Sequence, residues 1–128
     1  NDSVGVLRAA DVLEHLKSHI HSMNEAYRVL APGGFFFISV PSSNGTGAFC
    51  DPTHVSYWNA QSFRYYTDSK FRKYVTGNPK FPDFMGKFQL AKLVEHYPSP
   101  WHKEVNMPYI EAHLIKIADG YEPMGAQY

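Results

Sequence analysis

The stretch Asp11–Pro41, DVLEHLKSHIHSMNEAYRVLAPGGFFFISVP, decides the fold of this chain of 128 residues. It predicts a turn, an amphipathic helix, a Pro-Gly-Gly stop and a fully apolar strand. The preceding segment Ser3–Arg8, SVGVLR, can supply another strand. Together these segments predict a β-loop-α-turn-β unit, which builds a parallel sheet and binds ligands beyond the carboxyl ends of its strands.

The helix of this unit has recognisable ends. Ser18 is a suitable N-cap, and apolar residues then recur three or four apart along one face. Pro32 cannot continue a helix and the next two glycines can adopt positive φ, so the helix is predicted to end near Leu30. The apolar run Phe35–Val40 is typical of a strand that is covered on both faces.

Two further helices and two loops follow this strand. Pro41–Gly47, PSSNGTG, is a loop by composition, at the position where a ligand would bind. Asn59 can cap a short helix over residues 60–66, and Asp68 can cap another over residues 69–74 that ends at Gly77. Residues 78–85 carry two prolines and predict a second loop.

The last part of the chain predicts a pair of strands. Lys87–His96 and Ile110–Ala118 have partial two-residue alternation. We expect Tyr97–Tyr109 to join them without a helix, and such a short connection favours antiparallel pairing. The tail Asp119–Tyr128 lacks periodicity, and we expect it to fray.

Composition limits the possible classes of function. The chain is 44% apolar, 19% charged and carries twelve basic and twelve acidic residues. This predicts a single globular domain over residues 1–128 and argues against nucleic acid or an anionic membrane as partner. The one cysteine, Cys50, cannot form an internal disulfide, and no apolar run is long enough to cross a membrane. We therefore expect a cytoplasmic location.

Four segments resemble one known family. DVLEHL (11–16), RVLAPGG (28–34), FFFISVP (35–41) and AFCDPTHVSYWNAQSFRYYT (48–67) resemble the second half of class I S-adenosylmethionine-dependent methyltransferases. The resemblance implies an α/β fold that is a partial Rossmann-like methyltransferase sheet. It would contain strands four to seven, parallel with an antiparallel closing strand, with helices on the faces, and would form the C-terminal portion of the family's fold.

The family's cofactor signature is not found in this sequence. No Gly-x-Gly turn precedes Arg8, and no acidic residue ends a second strand before it. The resemblance therefore implies weak or absent binding of S-adenosylmethionine by this chain alone. It also implies an open edge on the first strand, which we expect to be covered by a second copy of the chain in a homodimer, unless the domain is a truncated product.

The resemblance also implies candidate site residues. Arg8, Ala9, Ala10 and Asp11 follow the strand that lines the cofactor in the family, although an ordinary strand-to-helix turn would look the same. In the LEH motif, His15 could act as a general base near the methyl group, or could be a structural histidine that bonds the turn.

The acceptor side has its own candidates. His54 could be a base or contact the acceptor, while Asp51 could contact it or cap the turn between them. Tyr57, Trp58 and Trp101 are candidates for the wall of the acceptor pocket. No metal-ligand spacing is present, since Asp51 and His54 would need a distant His102 or His113 as a third ligand, so we expect no metal site.

Two functions from different classes remain. The first is a methyltransferase that acts on an unidentified small molecule or saccharide, of which this chain carries the acceptor side and one wall of the donor site. The second is a non-catalytic interaction or assembly module that retains the methyltransferase scaffold.

Overall fold

A computed structural model describes residues 1–124 of the chain, and the centre of its fold is a four-stranded sheet. The strands are β1 (Val4–Ala10), β2 (Leu30–Pro41), β3 (Phe88–His96) and β4 (Tyr109–Lys116), in the spatial order β1-β2-β4-β3. β1 and β2 are parallel, whereas β4 is antiparallel to both β2 and β3. The predicted interior strand therefore has one parallel and one antiparallel neighbour, which confirms the partial methyltransferase-type sheet.

The helices begin and end where the sequence provides caps. The Ser18 side chain accepts a hydrogen bond from the His21 amide, and Asn59 and Asp68 cap the two helices after the central strand in the same way. Gly33 adopts a φ of 81°, which a residue with a Cβ rarely tolerates, just after the first helix. The helices are α1 (His19–Val29), α2 (Gly47–Cys50), α3 (Ala60–Thr67), α4 (Ser69–Thr76) and α5 (Pro100–Glu104).

The hydrophobic core lies between one face of the sheet and the helices. Phe36, Ile38 and Val40 of β2 are buried there together with Leu114 of β4. Phe35, on the opposite face of β2, is 37% exposed and stacks on the ring of Phe37. The expectation that the central strand is covered on both faces is therefore wrong for the described residues, because the helices pack on one side only.

Two other expectations differ from the structure. Tyr97–Tyr109 contains α5, whose N-cap Ser99 and N-terminal Pro100 are helix-start signals that the prolines of this segment obscured. β2 begins at Leu30 rather than Phe35, because the chain passes through the glycine turn and resumes pairing with β1 after a register shift. The predicted fraying of the tail concerns in part residues 125–128, which lie outside the described residues.

β1 forms an edge of the sheet. Within residues 1–124 it pairs only with β2, and Val6 at its middle is 62% exposed. The open edge predicted for the first strand is thus present in the described part of the chain. In residues 1–124, none of the helices has the length and apolar character needed to cross a membrane.

Candidate functional site

A cavity of about 350 Å³ lies beyond the carboxyl ends of β1 and β2. Parallel neighbouring strands place these ends at the same edge of a sheet, so the loops that follow them meet there. The cavity thus occupies the position predicted from the β-loop-α-turn-β unit. Its lining includes Asp11, Glu14, His15, Asp51, His54, Trp101, His102 and Tyr109.

One wall of the cavity is a single 3-10 turn, Leu13–His15, tied to the segment after α2. The carbonyl oxygen of Glu14 accepts hydrogen bonds from the amides of Val55, at 2.8 Å, and Ser56, at 3.1 Å. The Ser56 hydroxyl in turn donates to the carbonyl oxygen of Leu13 at 2.8 Å. These bonds fix two loops that are about forty residues apart in sequence against each other, so the side chains of both converge.

The imidazoles of His15 and His54 meet edge to face, with ring centroids 5.0 Å apart. Nδ1 of His15 lies 3.1 Å from the carbonyl oxygen of Thr53, and Nδ1 of His54 lies 3.1 Å from that of Ala48. A carbonyl oxygen only accepts, so each Nδ1 carries the proton. In the neutral ring, Nε2 of each histidine is then an available acceptor or ligand atom.

The Glu14 carboxylate lies beside these rings and is buried. Its side chain is 3% exposed, and burial, as the main cause, raises the pKa of Glu14. Oε1 of this carboxylate has no hydrogen-bond donor among the described residues. One ligand atom from each of Glu14, His15 and His54 lies within 4.8 Å of the others.

Asp51 has the turn-capping role that its spacing predicted. Its Oδ1 accepts hydrogen bonds from the amide and hydroxyl of Thr53, at 2.8 and 2.6 Å, and these bonds lower the pKa of Asp51. Its Oδ2 lies 3.5 Å from Nε2 of His54. The turn therefore holds a carboxylate and an imidazole together at the cavity.

The predicted cofactor segment divides between two cavities. Asp11, at the end of the strand, lines the first cavity, while Arg8 and Ala10 line a second one of about 440 Å³ on the uncovered face of the sheet. Ala9 points to the opposite face and is buried in the core. Asp11 has a φ of 57°, and its Oδ1 accepts a hydrogen bond from the Tyr109 hydroxyl at 2.8 Å.

This segment fits one wall of an S-adenosylmethionine site. The exposed Ala10 has only a methyl side chain at the carboxyl end of β1, which leaves room for a ligand, and the Asp11 turn directs the chain away from it. Residues 1–7 contain a single glycine, Gly5, which lies inside β1, so they supply no glycine-rich turn. Of the predicted cofactor segment, Arg8, Ala10 and Asp11 are exposed, whereas Ala9 is buried.

The three predicted aromatic residues of the acceptor pocket have different surroundings. Trp101 is 56% exposed and lines the cavity as expected. Tyr57 stacks on Phe49 and is not among the residues that line it.

Trp58 is a correction to the sequence prediction. It is 1% exposed and packs between His19 and Phe63 in the core, so its ring is not available to a substrate in this structure. Its position immediately before a helix cap gave no indication that the side chain is buried. Its indole N–H donates to the Ser56 hydroxyl, which satisfies the one polar group that it buries.

The sequence did not single out two cavity residues. Glu14 was noted only as part of the LEH motif, and Tyr109 only as the end of a loop, although both line the cavity. An acidic residue beside a histidine directly after a strand was the available signal for Glu14. Tyr109 reaches Asp11 across 98 positions of sequence, for which no local pattern exists.

Comparisons with known proteins place this geometry in context. Residues 1–38 match a family model described as a methyltransferase domain. A crystal structure from Listeria monocytogenes, assigned by name to the S-adenosylmethionine-dependent methyltransferases, has a similar fold, with a TM-score of 0.55 and 14% sequence identity. The match covers 91% of this chain and 63% of the Listeria protein, so the chain spans less than two thirds of that protein's length. The comparison with curated proteins gives no significant match.

The sequence match covers β1, α1 and most of β2, which are the elements that build the cavity edge. The similar fold extends over most of the remaining chain. These two findings show that residues 1–38 resemble a methyltransferase domain in sequence and that the chain shares part of the fold of such proteins.

Proposed function

We propose that this protein transfers a methyl group from S-adenosylmethionine to a hydroxyl of a small-molecule or saccharide acceptor. The observation that carries the proposal is the position of the first cavity, which is lined by Asp11 and lies at the carboxyl ends of two parallel strands. In this class of fold, that edge is where ligands bind. The match of residues 1–38 to a methyltransferase domain, together with the similar fold of the Listeria protein, suggests S-adenosylmethionine as the donor in this proposal.

In this proposal, the chain mainly aligns the acceptor with the methyl donor and contributes little to the affinity for the donor. S-adenosylmethionine supplies a sulfonium-bound methyl group, and direct displacement requires the acceptor atom to be held in line with it. Arg8, Ala10 and Asp11 would form the donor-side wall, while Asp51 and Trp101 would hold the acceptor. We assign the catalytic positions to His15 and His54, whose Nε2 atoms lie beside the buried carboxylate of Glu14.

The acceptor class is inferred from the chemistry of the cavity mouth. The exposed Trp101 lines the same cavity as Asp11 and Asp51. Carboxylates accept hydrogen bonds from hydroxyls, and an aromatic face packs against the apolar face of a sugar ring. This combination favours a polyhydroxylated acceptor.

Transfer of a radiolabelled methyl group tests the proposal, in the protein as its gene encodes it, with a panel of saccharides and phenols as acceptors. His15→Ala and His54→Ala should each lower kcat about 100-fold, while the matched variant His21→Ala, whose side chain is exposed on α1, should retain it. Unchanged turnover in both cavity variants would remove the catalytic assignment.

A specific observation favours a second function, a non-catalytic interaction module. The outer edge of β1 is unpaired within residues 1–124, and such an edge can pair with another chain. In this proposal, two copies pair through β1 to form a homodimer. Sedimentation equilibrium of the chain tests it, because a monodisperse monomer over the whole concentration range would exclude the dimer.

A further inference from the structure

The cavity contains a set of potential metal ligands that includes both imidazoles of the proposed catalytic positions. Glu14, His15 and His54 come from two loops, and their nearest ligand atoms lie within 4.8 Å of one another. The side chains of Glu14 and His54 are 3% and 8% exposed, whereas that of His15 is 40% exposed. The site is therefore buried on two sides and open to solvent on the third.

Both imidazoles are held in the tautomer that binds a metal. Their Nδ1 atoms face the carbonyl oxygens of Thr53 and Ala48, which leaves the lone pair of each Nε2 for another partner. Metal-binding histidines are typically oriented in this way, with the second ring nitrogen donating to a backbone carbonyl or carboxylate. In His15 and His54, the backbone supplies this orientation without any metal.

The carboxylates near these Nε2 atoms are too far away for a direct hydrogen bond. Nε2 of His15 lies 4.0 Å from Oε2 of Glu14, and Nε2 of His54 lies 3.5 Å from Oδ2 of Asp51. Hydrogen bonds from nitrogen to oxygen are usually 2.7–3.2 Å long. Two ligands of one cation, by contrast, lie up to about 4.2 Å apart when each bond is about 2.1 Å.

The buried carboxylate of Glu14 is the second, independent sign of a bound cation. Its Oε1 has no donor among the described residues, although a buried carboxylate oxygen without a partner destabilises the fold. The bonds of the Glu14 carbonyl to Val55 and Ser56 hold its backbone in the turn, where its side chain is 3% exposed. A cation between Glu14 and the two imidazoles would satisfy the orphaned oxygen.

We propose that Glu14, His15 and His54 bind a divalent transition-metal ion, with Asp51 placed to act as a fourth ligand or to hold His54. Two imidazole nitrogens and a carboxylate favour Zn²⁺, Mn²⁺ or Fe²⁺ over Ca²⁺ or Mg²⁺, which prefer oxygen ligands alone. Ligand atoms of a tetrahedral site with bonds of about 2.1 Å lie about 3.4 Å apart, and the nearest ligand atoms of these three residues lie within 4.8 Å of one another, so the side chains would move closer together on binding. This proposal reverses the expectation of no metal, which considered Asp51 and His54 only with distant histidines.

Metal binding at this site does not depend on methyl transfer, but the role of the bound metal does. If the proposed function holds, the metal lies where the acceptor hydroxyl would enter, because the same three residues line the acceptor cavity. His15 and His54 would then act on the acceptor through the metal. The two proposals can fail separately, since metal binding is measured without donor or acceptor.

The test is a titration of the chelator-treated chain with Zn²⁺ and, separately, with Mn²⁺, followed by calorimetry. We expect one site, and affinity weakened at least about tenfold by His15→Ala, by His54→Ala and by Glu14→Gln. His21→Ala is the matched control, because His21 is exposed on α1 and belongs neither to the cavity lining nor to the cluster. His113→Ala controls for binding at the half-buried pair with Glu111.

A second measurement uses the unaltered protein, in case a variant fails to fold. Zn²⁺ should shift the Nε2 ¹⁵N resonances of His15 and His54 before those of any other histidine. Failure to detect binding, equal affinity in the three ligand variants and the wild type, or histidine shifts confined to other residues would each overturn the proposal.

Discussion

The hydroxyl of Tyr109 donates a 2.8 Å hydrogen bond to Oδ1 of Asp11, and so links the first residue of β4 to the turn after β1. These residues are 98 positions apart, and both line the cavity. Burial, and then the bond to Asp11, raises the pKa of Tyr109, so the neutral hydroxyl persists as a donor. The bond therefore restrains Asp11 at a φ of 57°, where a residue with a Cβ is strained.

Tyr109→Phe should lower the free energy of unfolding by about 1 kcal/mol, because it removes this bond and leaves the ring in place. Tyr74→Phe is the matched control, since the Tyr74 side chain is 76% exposed. Urea denaturation of both variants measures the difference. An equal change in the two variants would mean that the bond contributes nothing to stability.

Lys116 is a buried amine that joins the end of α1 to the start of β2. Its Nζ donates to the carbonyl oxygens of Tyr27, at 2.6 Å, and Leu30, at 2.7 Å, and to Oδ1 of Asp2 at 2.5 Å. Lys116→Met should destabilise the fold by about 3 kcal/mol, because two buried carbonyls lose their donor. Lys92→Met, at an exposed position of β3, should have little effect in the same thermal unfolding experiment, and comparable losses would disprove the role of the buried amine.

The burial of His19 should make the stability of the fold depend on pH under acidic conditions. Its ring stacks on Trp58, with centroids 3.6 Å apart, and burial lowers the pKa of His19 below its ordinary value of 6.5. As the pH falls, His19 is therefore protonated in the unfolded chain before it is protonated in the folded chain. Its contribution to stability is fully present above pH 6.5 and is lost as the pH decreases below that value. His19→Phe should flatten this part of the stability profile, measured by urea denaturation at a series of pH values.

The exposed His21 provides the control for this profile. His21→Phe should keep the wild-type slope below pH 6.5, because its ring lies outside the core. A His19→Phe protein with an unchanged slope would show that other groups cause the acid destabilisation.

The two tryptophans should respond in opposite ways. Trp58→Ala should cost about 4 kcal/mol of stability, since it empties a position in the core. Trp101→Ala should leave stability nearly unchanged and raise the KM for the acceptor, because Trp101 is exposed at the cavity. Thermal unfolding and transfer kinetics separate these effects, and a higher acceptor KM in a stable Trp58 variant would restore its predicted pocket role.

Local signals predicted the elements well because they act over a few residues. Ser18, Asn59 and Asp68 cap the helices that they were expected to cap. On α1, Glu25 forms an ion pair with Arg28 at a distance of 2.8 Å. The short connection between the two last strands also predicted their antiparallel pairing, which the structure confirms.

Tertiary relationships could not be predicted in this way. The apolar run Phe35–Val40 shows that alternate residues can be buried, but not that one sheet face is uncovered in the described chain. Likewise, the contact of His15 with Thr53 joins positions 38 apart, so spacing along the sequence gave no reason to combine His15 and His54 as ligands. Both depend on which loops the sheet edge brings together.

The central proposal is that donor and acceptor meet at the carboxyl ends of β1 and β2. The most direct measurement is a titration of the ¹⁵N-labelled chain with S-adenosylmethionine, followed through its backbone amide resonances. We predict weak binding, with a dissociation constant of about a millimolar, equivalent to about −4 kcal/mol. The resonance shifts should be concentrated at Arg8–Asp11 and around the cavity. Tight one-to-one binding, the absence of any shift at saturating donor, or shifts centred elsewhere on the sheet would contradict it.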